Sequence, residues 1–133
     1  MAKIIVTGGS GRFGKILKKI SNKNYKFPNK KELNIMSLNS IEKYLRKSKA
    51  KILIHLAGLS RPMVQHEKNI IQSINLNIIG TSNIVIVCKK LKIKLIYFST
   101  SYIYPGDKGN YKEDDPILPV NNYAWSKLGG ESA

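Results

Sequence analysis

Three glycines spaced three residues apart follow directly on the first apolar run of the chain. The run Lys3-Ile4-Ile5-Val6-Thr7 predicts a buried strand, and Gly8-Gly9-Ser10-Gly11-Arg12-Phe13-Gly14 then leads into apolar positions at helical spacing. In such a strand-to-helix turn the amides of the helix N-terminus can approach a pyrophosphate closely. A purely structural turn is the alternative reading. The place of the glycines, immediately after the first strand, favours a dinucleotide site.

Apolar runs and helical patterns alternate along the rest of the chain. Further strands are predicted at residues 25–27, 51–55 and 94–98, and helices after a cap pattern at 39–42, over 65–90 and from 122. The apolar side of the long helix is assigned to Ile70, Ile71, Ile74, Ile78, Val85 and Cys88. Because the strands are continuous apolar runs, a parallel sheet covered on both faces is expected. The sequence therefore predicts a doubly wound α/β fold with a long loop at 99–121.

The net charge of +15 raises the question of nucleic-acid binding. Residues 1–51 carry 14 basic and 2 acidic residues, whereas residues 52–133 carry 9 and 6. Of the 23 basic residues only Arg12, Arg46 and Arg61 are arginines, although specific readers of nucleic acid favour arginine forks. We therefore expect no specific nucleic-acid partner.

Other protein classes are disfavoured by what the chain lacks. Its longest uninterrupted apolar run, residues 84–88, is far shorter than the ~20 residues of a membrane helix, so no membrane partner is expected. The N-terminal residues show no signal-peptide pattern, which predicts a cytoplasmic location. The single cysteine, Cys88, is expected to be a buried thiol, and no metal site is expected because neither His55 nor His66 has a second ligand at metal spacing. His55 ends a predicted strand and is interpreted as a core histidine with its hydrogen bonds satisfied.

A tyrosine and a lysine stand four residues apart in the last predicted helix. Tyr123 and Lys127 would share a helix face, so the ammonium can lie near the phenol oxygen. A positive charge there favours the phenolate, which makes Tyr123 a usable acid/base. In isolation the pair would be interpreted as a surface helix with a solvated lysine. Its place after a glycine loop favours the catalytic interpretation.

Several motifs in order resemble the extended short-chain dehydrogenase/reductase family, of the NAD-dependent epimerase/dehydratase kind. The glycine spacing and the Tyr-x-x-x-Lys pattern match that family at the two ends of the chain. Between them fall Leu33-Asn34-Ile35, Leu56-Ala57-Gly58, Asn77-Ile78-Ile79-Gly80-Thr81 and Ser99-Thr100-Ser101-Tyr102-Ile103-Tyr104. The resemblance covers essentially the whole chain and implies a Rossmann-type fold.

The resemblance also implies roles for individual residues. Thr100, Tyr123 and Lys127 would be catalytic, with Thr100 holding the substrate oxygen and Lys127 also touching the nicotinamide ribose. The cofactor would be NADP or NAD. Its contacts are expected at Gly8, Ser10, Gly11, Arg12, Phe13, Gly14, Asn34, Ile35, Leu56, Ala57, Gly58, Asn77, Tyr123 and Lys127.

The region after the second predicted strand bears on the choice of cofactor. NAD-binding domains of this type usually place an acid there for the ribose 2′-hydroxyl, whereas a basic group suits a 2′-phosphate. Here Lys30 and Lys31 follow the strand, and Glu32 comes slightly late beside them. We therefore expect NADP to be preferred over NAD.

The residues after the fourth strand distinguish branches of the family. Its dehydratases carry Asp-Glu directly after the catalytic threonine, where this chain has Ser101 and Tyr102. Except at Ser101, residues 99–104 resemble the Ser-Thr-Asp-Tyr-Val-Phe of reductases of the dTDP-4-dehydrorhamnose reductase type. The resemblance implies an NAD(P)-dependent reductase acting on a nucleotide-linked 4-keto sugar. A sugar-nucleotide epimerase of the same family and a non-catalytic dinucleotide-binding module are the alternatives.

The length of the chain limits what this resemblance covers. Extended members of the family need roughly twice these 133 residues, because a C-terminal lobe binds the sugar nucleotide. Residues 1–133 are therefore expected to form an incomplete NAD(P)-binding Rossmann domain, truncated before that lobe. A nucleotide-sugar substrate and a possible homodimer are the expected partners.

Overall fold

A computed structural model describes residues 3–133. In that part of the chain four strands form one sheet: β1 (Lys3–Thr7), β2 (Tyr25–Lys26), β3 (Ala50–His55) and β4 (Lys94–Tyr97). The α-helices are α1 (Arg12–Ile20), α2 (Leu38–Ser48), α3 (Val64–Lys68), α4 (Ile70–Ser73), α5 (Gly80–Leu91) and α6 (Asn122–Glu131). A π-helical segment, Ile74–Ile79, joins α4 to α5, and a 3-10 turn, Ser101–Ile103, follows β4.

The sheet is parallel throughout, in the order β2-β1-β3-β4. Ile5 of β1 is in register with Leu53 of β3, which is in register with Leu95 of β4. The fold confirms the predicted α/β architecture with a parallel sheet. Because all strands run the same way, the segments that follow their carboxyl ends gather at one edge of the sheet.

The apolar core fills one face of the sheet. Ile5 and Leu53 are fully buried there beneath Ile41 of α2 and Ile84 of α5. Each such side chain contributes about 1.5–3 kcal/mol when it leaves water. This packing fixes the positions of β1 and β3, and hence the place where the glycine loop begins.

The opposite face of the sheet is far less covered. Helix α1 buries only Gly14, while Phe13, Ile16 and Ile20 are 49%, 58% and 78% exposed. Phe13 packs against Phe98 beyond β4, with ring centroids 5.2 Å apart. The spacing that predicts this helix is correct, yet its apolar side has little to pack against within residues 3–133.

The helical region from 64 to 91 differs from the prediction in two ways. Asn69 (φ −140°, ψ 70°) breaks it between α3 and α4, and its side chain accepts from the amide of Gln72. The predicted apolar side is also wrong, since Ile71 is 69% exposed. Of the six residues assigned to that side only Cys88 is buried; the buried side consists of Ser73, Asn77, Gly80, Thr81, Ile84, Val87 and Cys88.

One helical stretch of the described chain is long and apolar enough to cross a membrane, although its apolar residues are interrupted by polar ones. The continuous helix Ile70–Leu91 has 22 residues and a mean hydropathy of 1.5 over its best window, enough to cross a membrane by length and composition. A third of that window is buried in the fold. One such helix is weak support for a membrane protein, because the core helix of a soluble domain passes the same test.

Candidate functional site

A cavity of about 780 Å³ opens at the carboxyl ends of β1 and β3. Its walls come from the loops after β1, β2 and β3, which the parallel sheet brings together. The predicted cofactor residues among its lining are Gly8, Ser10, Gly11, Arg12, Phe13, Gly14, Asn34, Ile35, Leu56, Ala57 and Gly58. Residues separated by up to fifty positions in the sequence thus line one cavity.

Two glycines in the first loop have no room for a side chain. Gly8 has φ 75°, and a Cβ there would lie 2.6 Å from the carbonyl carbon of Leu56. A Cβ on Gly14 would lie 2.4 Å from the carbonyl oxygen of Gly8. The loop can therefore pass close to β3 and to α1 only with glycine at these positions.

The N-terminus of α1 points its amides at this cavity. Gly11 is the N-cap and offers no side-chain acceptor, and the first turn holds no acidic residue. The first amides of a helix have no partner inside the helix, and they carry the positive end of its dipole. The arrangement suits an anion such as a phosphate.

The charges around the cavity have one sign. Its lining includes Arg12, Lys18, Lys30 and Arg61, and no aspartate or glutamate of the described chain lines it. Lys30 and Lys31, which follow the second strand, lie in different places. Lys30 lines the cavity, whereas Lys31 lines a separate groove beside α2. Glu32 also lines that groove, and its carboxylate accepts from the amide of Asn29 at 2.8 Å.

Tyr123 lies in the first turn of α6, where several groups fix it. The side chain of Asn121 caps the helix by accepting from the amide of Ala124 at 2.8 Å, and the hydroxyl of Ser126 donates to the carbonyl of Tyr123 at 2.8 Å. The phenol ring is half-buried and stands edge-on to Tyr102, with centroids 6.0 Å apart.

Lys127 reaches back from α6 to the end of β4. Its Nζ donates to the carbonyl of Phe98 at 2.6 Å and lies 4.2 Å above the ring of Tyr97. Burial lowers the pKa of Lys127 to about 8, and the carboxylate of Glu131 acts in the opposite direction. The hydroxyl of Tyr97 in turn donates to the carbonyl of Lys127 at 3.0 Å.

Thr100 follows two residues after Phe98 and begins the 3-10 turn. Its side-chain oxygen accepts from the amide of Tyr102 at 3.3 Å, which places Tyr102 against Tyr123. The three predicted catalytic residues are thus connected through their neighbours: Lys127 through Phe98, and Tyr123 through Tyr102. Neither Tyr123 nor Lys127 lines the 780 Å³ cavity.

Asn77 is placed differently from the other predicted cofactor contacts. It is buried in the π-helical segment and does not line the cavity. Its Nδ2 donates to the carbonyl of Leu59 at 2.8 Å and to Ser126 at 2.9 Å, while its Oδ1 accepts from the amide of Leu59 at 2.7 Å. With these bonds Asn77 joins the loop after β3 to α6 and has no free polar atom aimed at a ligand.

Two buried histidines support the site, and the sequence analysis characterised only one of them. Both ring nitrogens of His55 are hydrogen-bonded, Nδ1 to the hydroxyl of Thr7 at 2.7 Å and Nε2 to the hydroxyl of Thr81 at 3.2 Å, which confirms it as a satisfied core histidine. Burial lowers the pKa of His55 to about 4. His66 is buried against Tyr123, with ring centroids 5.0 Å apart. The sequence carries no local signal for this contact, because His66 and Tyr123 lie 57 positions apart and only the tertiary fold brings them together.

Trp125 lies between Tyr123 and Lys127 in the sequence but on another side of α6. Its side chain is 55% exposed, whereas the flanking Ala124 and Ser126 are buried. It is the single tryptophan of the chain.

Comparison with known proteins gives consistent results. Residues 2–133 match the sequence profile of the family described as RmlD substrate binding domain. In solved structures, the chain is similar to dTDP-4-dehydrorhamnose reductase from Bacillus anthracis in complex with NADP, with a TM-score of 0.91 and 30% identity, over 99% of this chain and 49% of that one.

Curated relatives carry more varied names. Methionine adenosyltransferase 2 subunit beta of Pongo abelii is 26% identical over 141 residues, covering 98% of this chain and 42% of that protein. GDP-L-colitose synthase of Yersinia pseudotuberculosis is 32% identical over 120 residues, covering 87% of this chain and 39% of that protein. The chain therefore spans less than half the length of these relatives and about half that of the solved structure.

Proposed function

The chain belongs to the RmlD substrate binding domain family, and we propose that it forms the cofactor-binding part of an NADP-dependent reductase for a nucleotide-linked 4-keto sugar. The single observation that carries the proposal is the arrangement at the carboxyl edge of the sheet. There the cavity under the glycine loop opens at the ends of β1 and β3, and β4, the next strand of the sheet after β3, ends at the segment to which Lys127 is bonded. The similarity to a reductase in complex with NADP supports the same reading.

The residues of the cavity fit a dinucleotide. The uncapped first turn of α1 would hold the pyrophosphate, and Gly8 and Gly14 would let the backbone approach it. Asn34 and Ile35 would lie along the adenosine end of the cavity. When bound, the dinucleotide supplies the hydride for the reaction.

The reduction needs a proton as well as a hydride. Tyr123 would donate its phenol proton to the carbonyl oxygen of the sugar as the carbonyl carbon gains the hydride, so that the ketone becomes an alcohol. Thr100 would hold that oxygen by a hydrogen bond, and Lys127, when charged, would stabilise the phenolate left on Tyr123. Lys127 would keep its place through the carbonyl of Phe98.

The proton-transfer role predicts a specific mutant phenotype. In a protein that contains this chain and reduces its sugar nucleotide, Tyr123→Phe should lower kcat by about 10²–10⁴ because the proton donor is lost. NADPH affinity should stay nearly unchanged, since the ring is retained. Steady-state kinetics with a calorimetric titration measures both. Near wild-type turnover in the variant would assign the proton transfer to another group.

Four cations and no acid around the cavity support NADP over NAD. Lys30→Ala should weaken NADPH binding more than NADH binding, because a 2′-phosphate loses a positive neighbour. Lys31→Ala is the matched control, since Lys31 lines the other groove. Raising the ionic strength should likewise weaken NADPH binding more steeply than NADH binding.

Calorimetric titrations of both nucleotides at low and high salt decide the matter. Tighter binding of NADH at both salt concentrations, with Lys30→Ala without effect, would reverse the preference. No measurable affinity for either nucleotide in a folded sample would remove the cofactor from the proposal. Gly11→Val is the loss-of-binding control, because φ −70° at Gly11 tolerates a side chain that would enter the cavity.

Two alternatives to the reductase use the same residues, and one of them is favoured by a specific observation. The relative named as a subunit of methionine adenosyltransferase favours a non-catalytic dinucleotide-binding module as the second candidate. A sugar-nucleotide epimerase would use the same Tyr123 and Lys127. The second candidate would be supported if a full-length protein that contains this chain bound NADPH but reduced no nucleotide sugar.

We further propose that residues 1–133 work as an NAD(P)-binding Rossmann domain together with a sugar-nucleotide lobe, and that the protein acts in the cytoplasm on a nucleotide sugar.

A further inference from the structure

The phenol ring of Tyr123 is held between two other aromatic rings. Tyr102 meets it edge-on, and on another side the imidazole of His66 lies with its centroid 5.0 Å away at an angle of 57°. His66 is fully buried, whereas Tyr102 is 48% exposed. Of the two rings that contact Tyr123, the imidazole of His66 is therefore the one enclosed by the fold.

The imidazole is itself held in one orientation. Its Nδ1 lies 2.7 Å from the hydroxyl of Ser73, which is also fully buried. Ser73 belongs to α4, on the far side of the break at Asn69, so this bond ties α3 to the helix that follows. The ring of His66 cannot turn without breaking it.

The other ring nitrogen distinguishes His66 from a packing residue. Among the residues that the structure describes, His66 Nε2 is the one buried side-chain nitrogen or oxygen without a hydrogen bond of normal geometry, although the backbone of Ser60 lies near enough to the imidazole to raise its pKa. An unpaired buried nitrogen carries a desolvation cost that a phenylalanine in the same place would avoid. Such groups in folded proteins are concentrated where function needs them.

The same short helix also holds the residue before Tyr123. The carboxylate of Glu67 accepts from the side-chain amide of Asn122 at 2.7 Å and from its backbone amide at 3.4 Å. Adjacent residues of α3 thus contact the first two residues of α6. The contact is between elements that lie more than fifty residues apart in the sequence.

We propose that His66 is a positioning residue for Tyr123, with its imidazole, oriented by Ser73, fixing the phenol ring at the substrate side of α6. The catalytic consequence rests on the function proposed above, whereas the positioning of the ring does not. Burial lowers the pKa of His66, with the backbone of Ser60 and the carboxylate of Glu67 acting in the opposite direction. The imidazole acts by its shape and by its bond to Ser73.

The ring position can be measured without any enzyme assay. In the chain labelled with ¹³C-tyrosine, the signals of Tyr123 are those absent from Tyr123→Phe. His66→Ala and Ser73→Ala should both shift these signals. The first variant should have the larger effect, because it removes the imidazole that packs against Tyr123, whereas the second removes only the hydrogen bond that orients that imidazole. His66→Phe keeps an aromatic ring but cannot bond to Ser73, so it should restore the signals only as far as Ser73→Ala leaves them. Val64→Ala, on an exposed position of α3, is the matched control and should leave them unchanged.

Two further measurements separate positioning from a general loss of structure. NADPH affinity should be unchanged in all four variants, since the cavity does not include α3. In a protein with reductase activity, His66→Ala should lower kcat by about 10- to 100-fold with the cofactor KM unchanged, as expected when a catalytic group is displaced. His66→Phe should recover part of that loss, to about the level of Ser73→Ala, because the phenyl ring cannot bond to Ser73.

The outcomes are distinguishable. Tyr123 signals that stay in place in Ser73→Ala and in His66→Ala would overturn the proposal, and if His66→Ala does not fold, Ser73→Ala and His66→Phe decide it. A displaced ring with full kcat would overturn the catalytic part. A displaced ring in a chain that binds no dinucleotide would leave His66 as the positioning residue and refute the proposed function instead.

Discussion

Lys127 is a predicted catalytic residue whose pKa the fold changes strongly. Burial brings its pKa to about 8, from a usual value of 10.5, although its Nζ keeps one strong hydrogen bond to the carbonyl of Phe98. The charged form is thus costly inside the fold, and the proton is held less firmly than on a surface lysine.

This lowered pKa predicts how stability depends on pH. Between pH 8 and pH 10.5 the unfolded chain holds a proton on Lys127 that the folded chain has released. The free energy of unfolding should therefore rise as the pH increases through that window. Lys127→Met, which keeps an apolar stem and cannot titrate, should show a smaller rise.

Urea denaturation of both proteins at several pH values between 7 and 10.5 measures the difference. Only the difference between the two curves is informative, because surface lysines and tyrosines also begin to titrate there. Parallel curves would mean that the ammonium of Lys127 is better solvated than its burial indicates.

At the scale of elements, the contact that places Tyr123 and Lys127 is the packing of α6 on the π-helical segment. Two adjacent glycines make it possible, since a Cβ at Gly129 would lie 2.8 Å from the side chain of Ile78 and one at Gly130 only 2.5 Å from the carbonyl oxygen of Asn77. The first obstacle is a flexible side chain. The second is backbone, so Gly130 sets the distance between the two helices.

Gly130→Ala should therefore displace α6 from the π-helical segment. We expect it to lower the free energy of unfolding by about 1–3 kcal/mol, the usual cost of overpacking. Gly109→Ala is the matched control, because nothing lies within 4 Å of a Cβ there. Chemical denaturation of the two variants gives the comparison. Equal stabilities would show that α6 can shift at no cost.

The sequence predicts those elements whose chemistry is local. The glycine loop and the strands depend on neighbouring residues, and their predicted places agree with the structure to within one or two positions. The cap predicted at 39–42 is wrong by two residues, since the side chain of Ser37 caps α2 by accepting from the amide of Ser40. The predicted buried side of the long helix is wrong because polar residues of that helix are buried by tertiary contacts: Asn77 bonds to Ser126, 49 positions later, and Ser73 bonds to His66 across the break at Asn69. The role of Asn77 and the contact of His66 with Tyr123 need the tertiary fold, and no local pattern encodes them.

At the scale of the whole molecule, the apolar surface is unevenly distributed. Phe13, Ile16 and Ile20 on α1 lie on the same side of the sheet as Phe98, and β4 is an edge strand whose outer side is unpaired within the described chain. Exposed apolar patches and open strand edges promote association. The 133-residue chain alone should therefore self-associate as its concentration rises.

Charges placed on this side should oppose that association. The double variant Ile16→Lys and Ile20→Lys should sediment as a smaller species than the wild type at the same concentration. Ile71→Lys, which alters an exposed residue of α4, is the control and should behave like the wild type. A wild-type chain that stays monomeric at high concentration would show that this surface is tolerated in water.

The exposed indole of Trp125 gives the chain a built-in optical reporter. Because the chain has one tryptophan and it lies in α6, light emitted after excitation of the indole comes from that helix alone. Partial detachment of α6 would change the colour or anisotropy of that emission while the circular dichroism of the sheet stayed constant. A stopped-flow experiment could therefore time the docking of the Tyr123 and Lys127 helix separately from the folding of the rest, with no attached dye.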